Sequence, residues 1–586
     1  RRRALSRSPY LYVLVPAFCS RISRVLKQVY RPEKPRNDTC EGITTLKKMT
    51  ARIMNRVIYS SLPDFDVGDS YASQFIEQRL KKFSTKIILV DTHQTLTGSQ
   101  LLEKIRKYAV GYQQHGVKPG SNVCAYIGNA AENIAAAFGV VFAGGTLVMA
   151  KTAYVARELL FTIEDCQCTF LLTDQENAPN AAKVAMPSNI KALFSVGNSP
   201  GFVNVLQFQE LSDASFTPHA PTNNEEEVVT IEYTSGSEGP PKGVEISHKA
   251  YCAGFHTFSS VRIFTEEDVF LGWIPFTNAG GFGLVLFCVL LGTKTVITDP
   301  LIPNKAFLET LKTHEVSSLI GFPGRMQDIV NEIRKNKYSA PRVKRIMIGG
   351  SMMPISLARE IREIFNVESL NYCYGLTETC GIVSFSHVGQ VTFDNGGFPA
   401  AGIKIKVIDI TSGDSLGPYQ NGEIAVQAPG IMKGYHGHPE ATAEALSSDG
   451  WLRTGDLGYY DTEGRLHVIE RLKQMIKCMD NVVTPAELEE ILITHEAVAE
   501  AAVVGSPSSK YGEAPTACVV VKDGFDKNLE SLATELKELI AGQVAVFKQL
   551  YGGVFFMKSL PKSSNGKIVR QDLKTKVAHE IDKLKK

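Results

Sequence analysis

The chain has 586 residues, 44% of them hydrophobic and 21% charged, and its 63 basic and 61 acidic side chains leave a net charge of +2. That length is too great for one compact core and implies two to four domains, while the near-neutral balance argues against nucleic acid or an anionic membrane as the main partner. Eleven scattered cysteines, with Cys166 and Cys168 the closest pair and no C-x-x-C, argue against a disulfide framework or a zinc site and for reduced thiols in an intracellular protein.

The first 54 residues are set apart as a basic N-terminal extension. Arg1 to Arg31 carries eight Arg or Lys, four Ser and no acid, a composition like that of a mitochondrial transit peptide. Tyr10 to Phe18 also reads as a short signal-peptide core, and a third reading takes the stretch as non-native, with translation starting at Met49 or Met54. No run of about 20 apolar residues occurs, so no transmembrane segment is expected. The longest apolar stretch, Leu284 to Leu291, reads as a buried helix.

From Tyr59 onward strands and helices alternate. Strands are predicted at Lys86 to Asp91, Asn122 to Ile127, Leu147 to Ala150, Thr169 to Thr173 and Ile190 to Val196, with helices at Leu101 to Gln114 and Ala130 to Ala143. The alternation continues through Phe270 to Pro275, Val316 to Ile320, Arg345 to Ile348 and Ser369 to Tyr374. This is the pattern of parallel sheets covered by helices, an α/β class. Beyond Gly402 short strands at Ile403 to Ile408, Gly422 to Gln427 and Leu466 to Ile469 imply a β-rich subdomain. The first large domain is placed at residues 55–470, a hinge at 471–475, and a small mobile α+β domain at 476–586, with a helix at Pro485 to Ile493, strands at Ala499 to Val504 and Ala517 to Lys522, and a helix at Leu529 to Ile540.

The strongest chemical signal is Tyr233-Thr-Ser-Gly-Ser-Glu-Gly-Pro-Pro-Lys-Gly-Val244, directly after a strand-like run. Its glycines let backbone N–H groups surround phosphate oxygens, the hydroxyls of Thr234, Ser235 and Ser237 add donors, and Lys242 adds a cation. The Walker spacing is absent. Four further runs follow in order: Tyr374-Gly-Leu-Thr-Glu-Thr379, Gly450-Trp-Leu-Arg-Thr-Gly-Asp456, Glu470-Arg-Leu-Lys473 with Ile476-Lys477, and Pro561-Lys-Ser-Ser-Asn-Gly-Lys-Ile568. Together, from about Tyr59 to Leu573, they resemble the signature motifs of the adenylate-forming superfamily, which includes acyl-CoA synthetases, 4-coumarate–CoA ligases and firefly luciferase.

The resemblance implies an ATP-dependent carboxylate–CoA ligase that acts on an aromatic or medium-to-long-chain acid through an acyl-adenylate, with Mg²⁺ and coenzyme A. Adenylation with another acceptor, and a catalytically weak nucleotide- or acyl-binding relative, are the alternatives. By resemblance, Thr234, Ser235, Gly236, Ser237, Glu238, Gly239 and Lys242 form the phosphate loop, and Tyr374, Gly375 and Thr377 contact nucleotide. Glu378 ligates Mg²⁺, Asp456 takes the ribose hydroxyls and Arg471 is the second nucleotide contact. Lys473 marks the hinge, Lys567 reaches the α-phosphate and the acid, and Lys477 with Thr377 completes the catalytic set. Taken alone, an Asp after Gly is a turn or cap, and a Lys in a polar loop is a solvated charge.

Four positions depart from the family pattern. Glu238 stands where the loop usually has Thr and sets a carboxylate against triphosphate. Asn278 replaces a His beside the acyl pocket, which the resemblance runs past Gly349-Gly350-Ser351 and Gly375 to Gly381. Cys478-Met479-Asp480-Asn481 replaces x-K-G-[YF], the segment that serves the coenzyme A step, and Glu470 replaces the hinge Asp. The C-terminal Lys583-Leu-Lys-Lys586 is not a peroxisomal tripeptide, so a cytoplasmic or mitochondrial location is expected.

Overall fold

The predicted alternation resolves into four sheets. The computed structural model describes residues 51–584 apart from 220–221, 235–240, 279, 351–352, 390–394, 480, 509, 526–527 and 564–565. Two large sheets form the centre, and both are parallel through their middles. One has eight strands, with Val228–Thr234, Thr146–Met149, Asn122–Tyr126, Phe170–Asp174 and Ala192–Val196 running parallel in that spatial order. The other has nine, with Ile87–Val90, Lys294–Ile297, Val269–Gly272, Ser318–Gly321, Arg345–Ile348 and Ser369–Leu376 parallel. Both faces of such sheets need apolar cover. The helix Ala131–Phe142 accordingly reads apolar nearly all round, and every residue from Asn133 to Phe142 is buried.

Local sequence sets the helix starts. Thr97 and Gln100 form a reciprocal capping box that opens Gly98–Gln114, and Ser247 caps His248–Ser260. The apolar stretch predicted as one helix is a short α-helix, Leu286–Leu291, entered through a π-helical turn, Gly281–Val285. Gly281 allows this. A Cβ there would stand 1.9 Å from the Pro275 carbonyl oxygen. Among the described residues no helix is long and apolar enough to cross a membrane, and the nine described cysteines are free.

The β-rich subdomain is a six-stranded antiparallel sheet built from Lys404–Ile408, Gly422–Gln427, Leu452–Tyr460 and Leu466–Arg471, completed by two N-terminal strands. This corrects the boundary at residue 54. Ala51–Met54 is a strand paired with Val57–Ser60, and Val57–Ser60 pairs in turn with Lys404–Ile408. The reversal at Asn55 and Arg56 uses positive φ angles of 51° and 62°, the primed-turn geometry that matches hairpin twist. Basic composition upstream masked this strand, because Ala51 and Ile53 supply only two apolar positions.

After Leu466–Arg471 comes a single 3₁₀ turn, Leu472–Gln474, and then Ile476–Cys478, the first strand of a separate five-stranded sheet. That sheet has its own core, which includes Ile476, Leu488, Val503, Val519, Leu532 and Leu536. The last helix, Arg570–Leu584, packs its Leu573 and Val577 into a second small cluster on the same sheet.

Candidate active site

The phosphate loop is tied at its base. Thr234 and Lys242 are partners in the antiparallel ladder between Val228–Thr234 and Lys242–Ser247, and the Thr234 hydroxyl donates to the Lys242 carbonyl at 3.5 Å. Ser235, Gly236, Ser237, Glu238 and Gly239 lie outside the described residues, as does Asp480. Lys242 sets its ammonium 5.1 Å from the centre of the Tyr435 ring, an arrangement in which the ring's negative face attracts the cation.

Tyr374 ends the parallel run of the nine-stranded sheet, and Asp456 lies in the antiparallel subdomain. The fold brings them together. The Tyr374 hydroxyl donates to Asp456 Oδ2 at 2.6 Å, and Arg471 Nε stands 2.8 Å from Oδ1. The second contact is dictated by register, since Asp456 and Arg471 are direct partners across Leu452–Tyr460 and Leu466–Arg471. Asp456 is 4% exposed. Burial pushes its carboxyl above the ordinary range, against the opposing pull of Arg471 and Tyr374. Arg471 also donates to the Thr454 carbonyl at 3.0 Å, which fixes its guanidinium plane.

The turn before Asp456 depends on a residue that motif reading misses. Glu423, buried in the next strand, binds Arg453 through Nε at 2.9 Å and accepts the Gly455 N–H at 3.0 Å. Gly455 needs φ of +70° there, a conformation cheap only for glycine. No spacing rule links positions 423 and 455, and the only signal available was an acid at the start of a predicted strand.

Thr377 and Glu378 occupy a 3₁₀ turn, Thr377–Thr379, directly after the Tyr374 strand. Glu378 Oε1 accepts the Tyr435 hydroxyl at 2.9 Å, and among the described residues no group holds Oε2. The charge of Glu378 acts on Arg471, so the diol-binding and metal-binding candidates share one neighbourhood. Among the described residues no group of three or more His, Cys, Asp or Glu forms a metal cluster. One carboxylate with a free oxygen fits Mg²⁺, which is usually held by one or two carboxylates together with substrate phosphates.

Lys567 comes from the C-terminal unit and lies within electrostatic reach of Asp456, Arg471, Glu470 and Arg570. Its side chain keeps solvent access, yet desolvation by the protein packed around it lowers its ammonium pKa. Arg471 adds to that effect, while Asp456 and Glu470 oppose it. Glu470 is held beside this group by Arg570, 3.8 Å away, and Arg570 grips Glu489 at 2.5 and 3.0 Å. This buried Arg–Glu network also escapes motif reading, because its members belong to the hinge strand and two helices far apart in sequence.

The remaining candidates lie on four segments. Lys473 is exposed in the hinge turn. Lys477 is exposed on Ile476–Cys478, its backbone N–H donates to Glu513 at 2.8 Å, and it makes no ion pair with the Asp456 group among the described residues. Gly375 packs its α-carbon against the Gly381 carbonyl, where a Cβ would stand 2.2 Å away. Asn278 is buried, and its backbone carbonyl accepts the N–H groups of Gly281 and Phe282 at 2.8 and 2.9 Å, just before and into the π-helical turn.

Comparison with known proteins identifies the family. The family model for AMP-binding enzymes matches residues 76–436, and that for the AMP-binding enzyme C-terminal domain matches residues 487–567. The 4-coumarate–CoA ligase 1 of Petroselinum crispum is 28% identical over 540 residues, covering 89% of this chain and 97% of its own. Luciferin 4-monooxygenase of Nipponoluciola cruciata is 34% identical over 363 residues, 61% of this chain and 65% of its own. The solved o-succinylbenzoate CoA synthetase of Bacillus subtilis, in complex with its acyl-adenylate, is 26% identical with a TM-score of 0.72, covering 86% of this chain and 98% of its own. With the large-domain model alone matching residues 76–436, the chain belongs to the family of AMP-binding, adenylate-forming enzymes.

Proposed function

We propose that the protein is an ATP-dependent carboxylate–CoA ligase for an aromatic or medium-to-long-chain acid. The observation that carries this reading is the seating of Gly566, next to Lys567 in the C-terminal unit, against Gly324 of the large domain, with Lys567 in electrostatic reach of Asp456 and Arg471. In the proposed first step a carboxylate oxygen attacks the α-phosphorus of ATP, forms the mixed anhydride and expels pyrophosphate. Asp456, held by Tyr374 and Arg471, accepts from the ribose hydroxyls. Lys567 sets a point cation between the two reacting anions, where negative charge shifts in the transition state. Mg²⁺ held at Glu378 and the phosphates would neutralise charge on the departing pyrophosphate. In the second step the coenzyme A thiolate attacks the acyl carbon and AMP leaves, after the C-terminal unit has turned about residues 471–475.

A second reading keeps the adenylate but changes the acceptor. It is favoured by the chain turn at Met479, which takes φ of +52° without the glycine and lysine that serve the coenzyme A step in the family. The luciferin 4-monooxygenase relative supports it too, since its name describes an oxygenase rather than a thiol ligase.

Incubation with ATP, Mg²⁺ and a panel of acids, with and without coenzyme A, separates the readings. Pyrophosphate and acyl-CoA formed together support the first. Pyrophosphate release with no thioester on any acid supports the second. ATP binding with no pyrophosphate on any acid contradicts both.

A further inference from the structure

The two flanks of the turn before Lys567, residues 561–563 and 566–569, are cross-linked as a hairpin. Lys562 and Ile568 pair antiparallel, the Ser563 N–H donates to the Lys567 carbonyl at 2.8 Å, and the Gly566 N–H donates to the Ser563 carbonyl at 2.8 Å. The Val569 N–H donates to the Pro561 carbonyl at 2.9 Å, closing the base. Gly566 and Lys567 are both bonded to Ser563, so whatever seats Gly566 seats the Lys567 backbone. The seat is on the large domain, at the first turn of Pro323–Asn336. A Cβ on Gly324 would stand 2.4 Å from the Gly566 carbonyl oxygen, and a Cβ on Gly566 would stand 3.1 Å from the Arg325 nitrogen. Backbone meets backbone with no side chain between. Lys562 adds a polar tether, 3.9 Å from Asp328 on the same helix and 2.8 Å from Glu500 on its own unit.

We propose that Gly324 is a positioning residue for adenylation: the bare backbone at 324 is the seat on which the 562–568 hairpin docks, and it sets the depth to which Lys567 enters the site. The inference rests on the adenylation reading above for its catalytic consequence, but not for the contact itself. Any side chain at 324 must displace the hairpin, because the opposing atom is a carbonyl oxygen and not a movable side-chain end. Restoring ordinary carbon–oxygen contact requires a shift of about 1 Å, and a misplacement of that size costs about a hundred-fold in rate when it affects a catalytic group. The same substitution does not harm the helix. Alanine is the better helix former by roughly 0.8–1.0 kcal/mol, so Gly324→Ala is expected to fold at least as well as the parent. The proposed turn about residues 471–475 would carry the hairpin away from residue 324, so the thioester step is expected to be untouched.

The test compares the full-length parent with Gly324→Ala and Gly324→Val. Hydrogen–deuterium exchange reads the contact without catalysis. Loss of protection confined to residues 323–328 and 561–570, with an undiminished unfolding temperature, supports the seat. Parent-like protection there, or loss spread through the chain, overturns it. In pyrophosphate exchange, kcat should fall about a hundred-fold in the alanine variant and further in the valine variant, while transfer to coenzyme A from a supplied acyl-adenylate stays at the parental rate. An equal fall in both steps, or no fall in either, overturns the positioning role. If the parent itself exchanges with no acid, the adenylation reading fails, and the hydrogen-exchange result still decides the seat.

Discussion

Arg570→Ala removes the centre of the network that joins the hinge strand to the C-terminal unit. Its guanidinium holds Glu489 through two contacts, donates to Gln474 at 3.1 Å and to the Val503 carbonyl at 2.9 Å, and stands 3.8 Å from Glu470. The side chains of Arg570 and Glu489 are 16% and 14% exposed, so water replaces little of what is lost. Removing one partner of a buried ion pair costs about 3–5 kcal/mol, because the other charge remains buried. In a unit of this size that lowers the unfolding midpoint by on the order of 10 °C or more. Differential scanning calorimetry measures the shift, and limited proteolysis locates it in residues 476–584. Arg570→Met with Glu489→Met should recover much of the loss, since two apolar groups of similar length leave no orphaned charge at that pair. A midpoint shift below about 2 °C, or single losses that simply add in the double variant, would refute the reasoning.

Further outcomes follow from single groups. Tyr435→Phe keeps the ring under Lys242 but removes the hydroxyl bound to Glu378; a hydrogen bond to a charged group contributes about 1.5–3 kcal/mol, so Mn²⁺ binding in the presence of ATP, read by electron paramagnetic resonance, should weaken about ten-fold, and parental affinity would count against Tyr435 as the orienting group. Glu232 is buried in the strand before the phosphate loop, and burial raises its carboxyl to about 8. The folded state therefore holds this proton where the unfolded state has released it, so stability falls as pH rises from the ordinary Glu range to about 8 and then levels. Glu232→Gln should flatten that slope in urea titrations across pH, and an unchanged slope would rule out Glu232 as its source. Glu238→Thr should speed pyrophosphate exchange by removing a carboxylate from the loop proposed to hold triphosphate; no change would reject the repulsion argument.

Much of the fold was legible because its signals are local. Alternating strand and helix patterns located Gly422–Gln427, Arg345–Ile348 and Pro485–Ile493 to the residue. The strand at Ala51–Met54 was not legible, since its assignment depends on pairing with a neighbour and, through it, with Lys404–Ile408. The break between π- and α-helix at residue 285 was hidden inside one apolar run, and tertiary contact of Gly281 with the Pro275 carbonyl explains it. At the site, Tyr374, Asp456, Arg471 and Lys567 were named from motifs, and the fold brings them together. Their supports were not named. Glu423, Tyr435, Glu489 and Arg570 act across long sequence separations, where no periodicity or spacing marks a partner. Lys477 was named in the same set; it lies exposed on the C-terminal sheet and makes no ion pair with the Asp456 group among the described residues.

The central claim is that a cation from the C-terminal unit drives adenylation at a nucleotide site built by the large domain. ATP–pyrophosphate exchange, run with an accepted acid on the parent and on Lys567→Ala, tests it most directly. The account predicts exchange by the parent, a loss of about a hundred-fold or more in the variant, and unchanged ATP affinity and unfolding temperature. Equal exchange rates in the two proteins would contradict it.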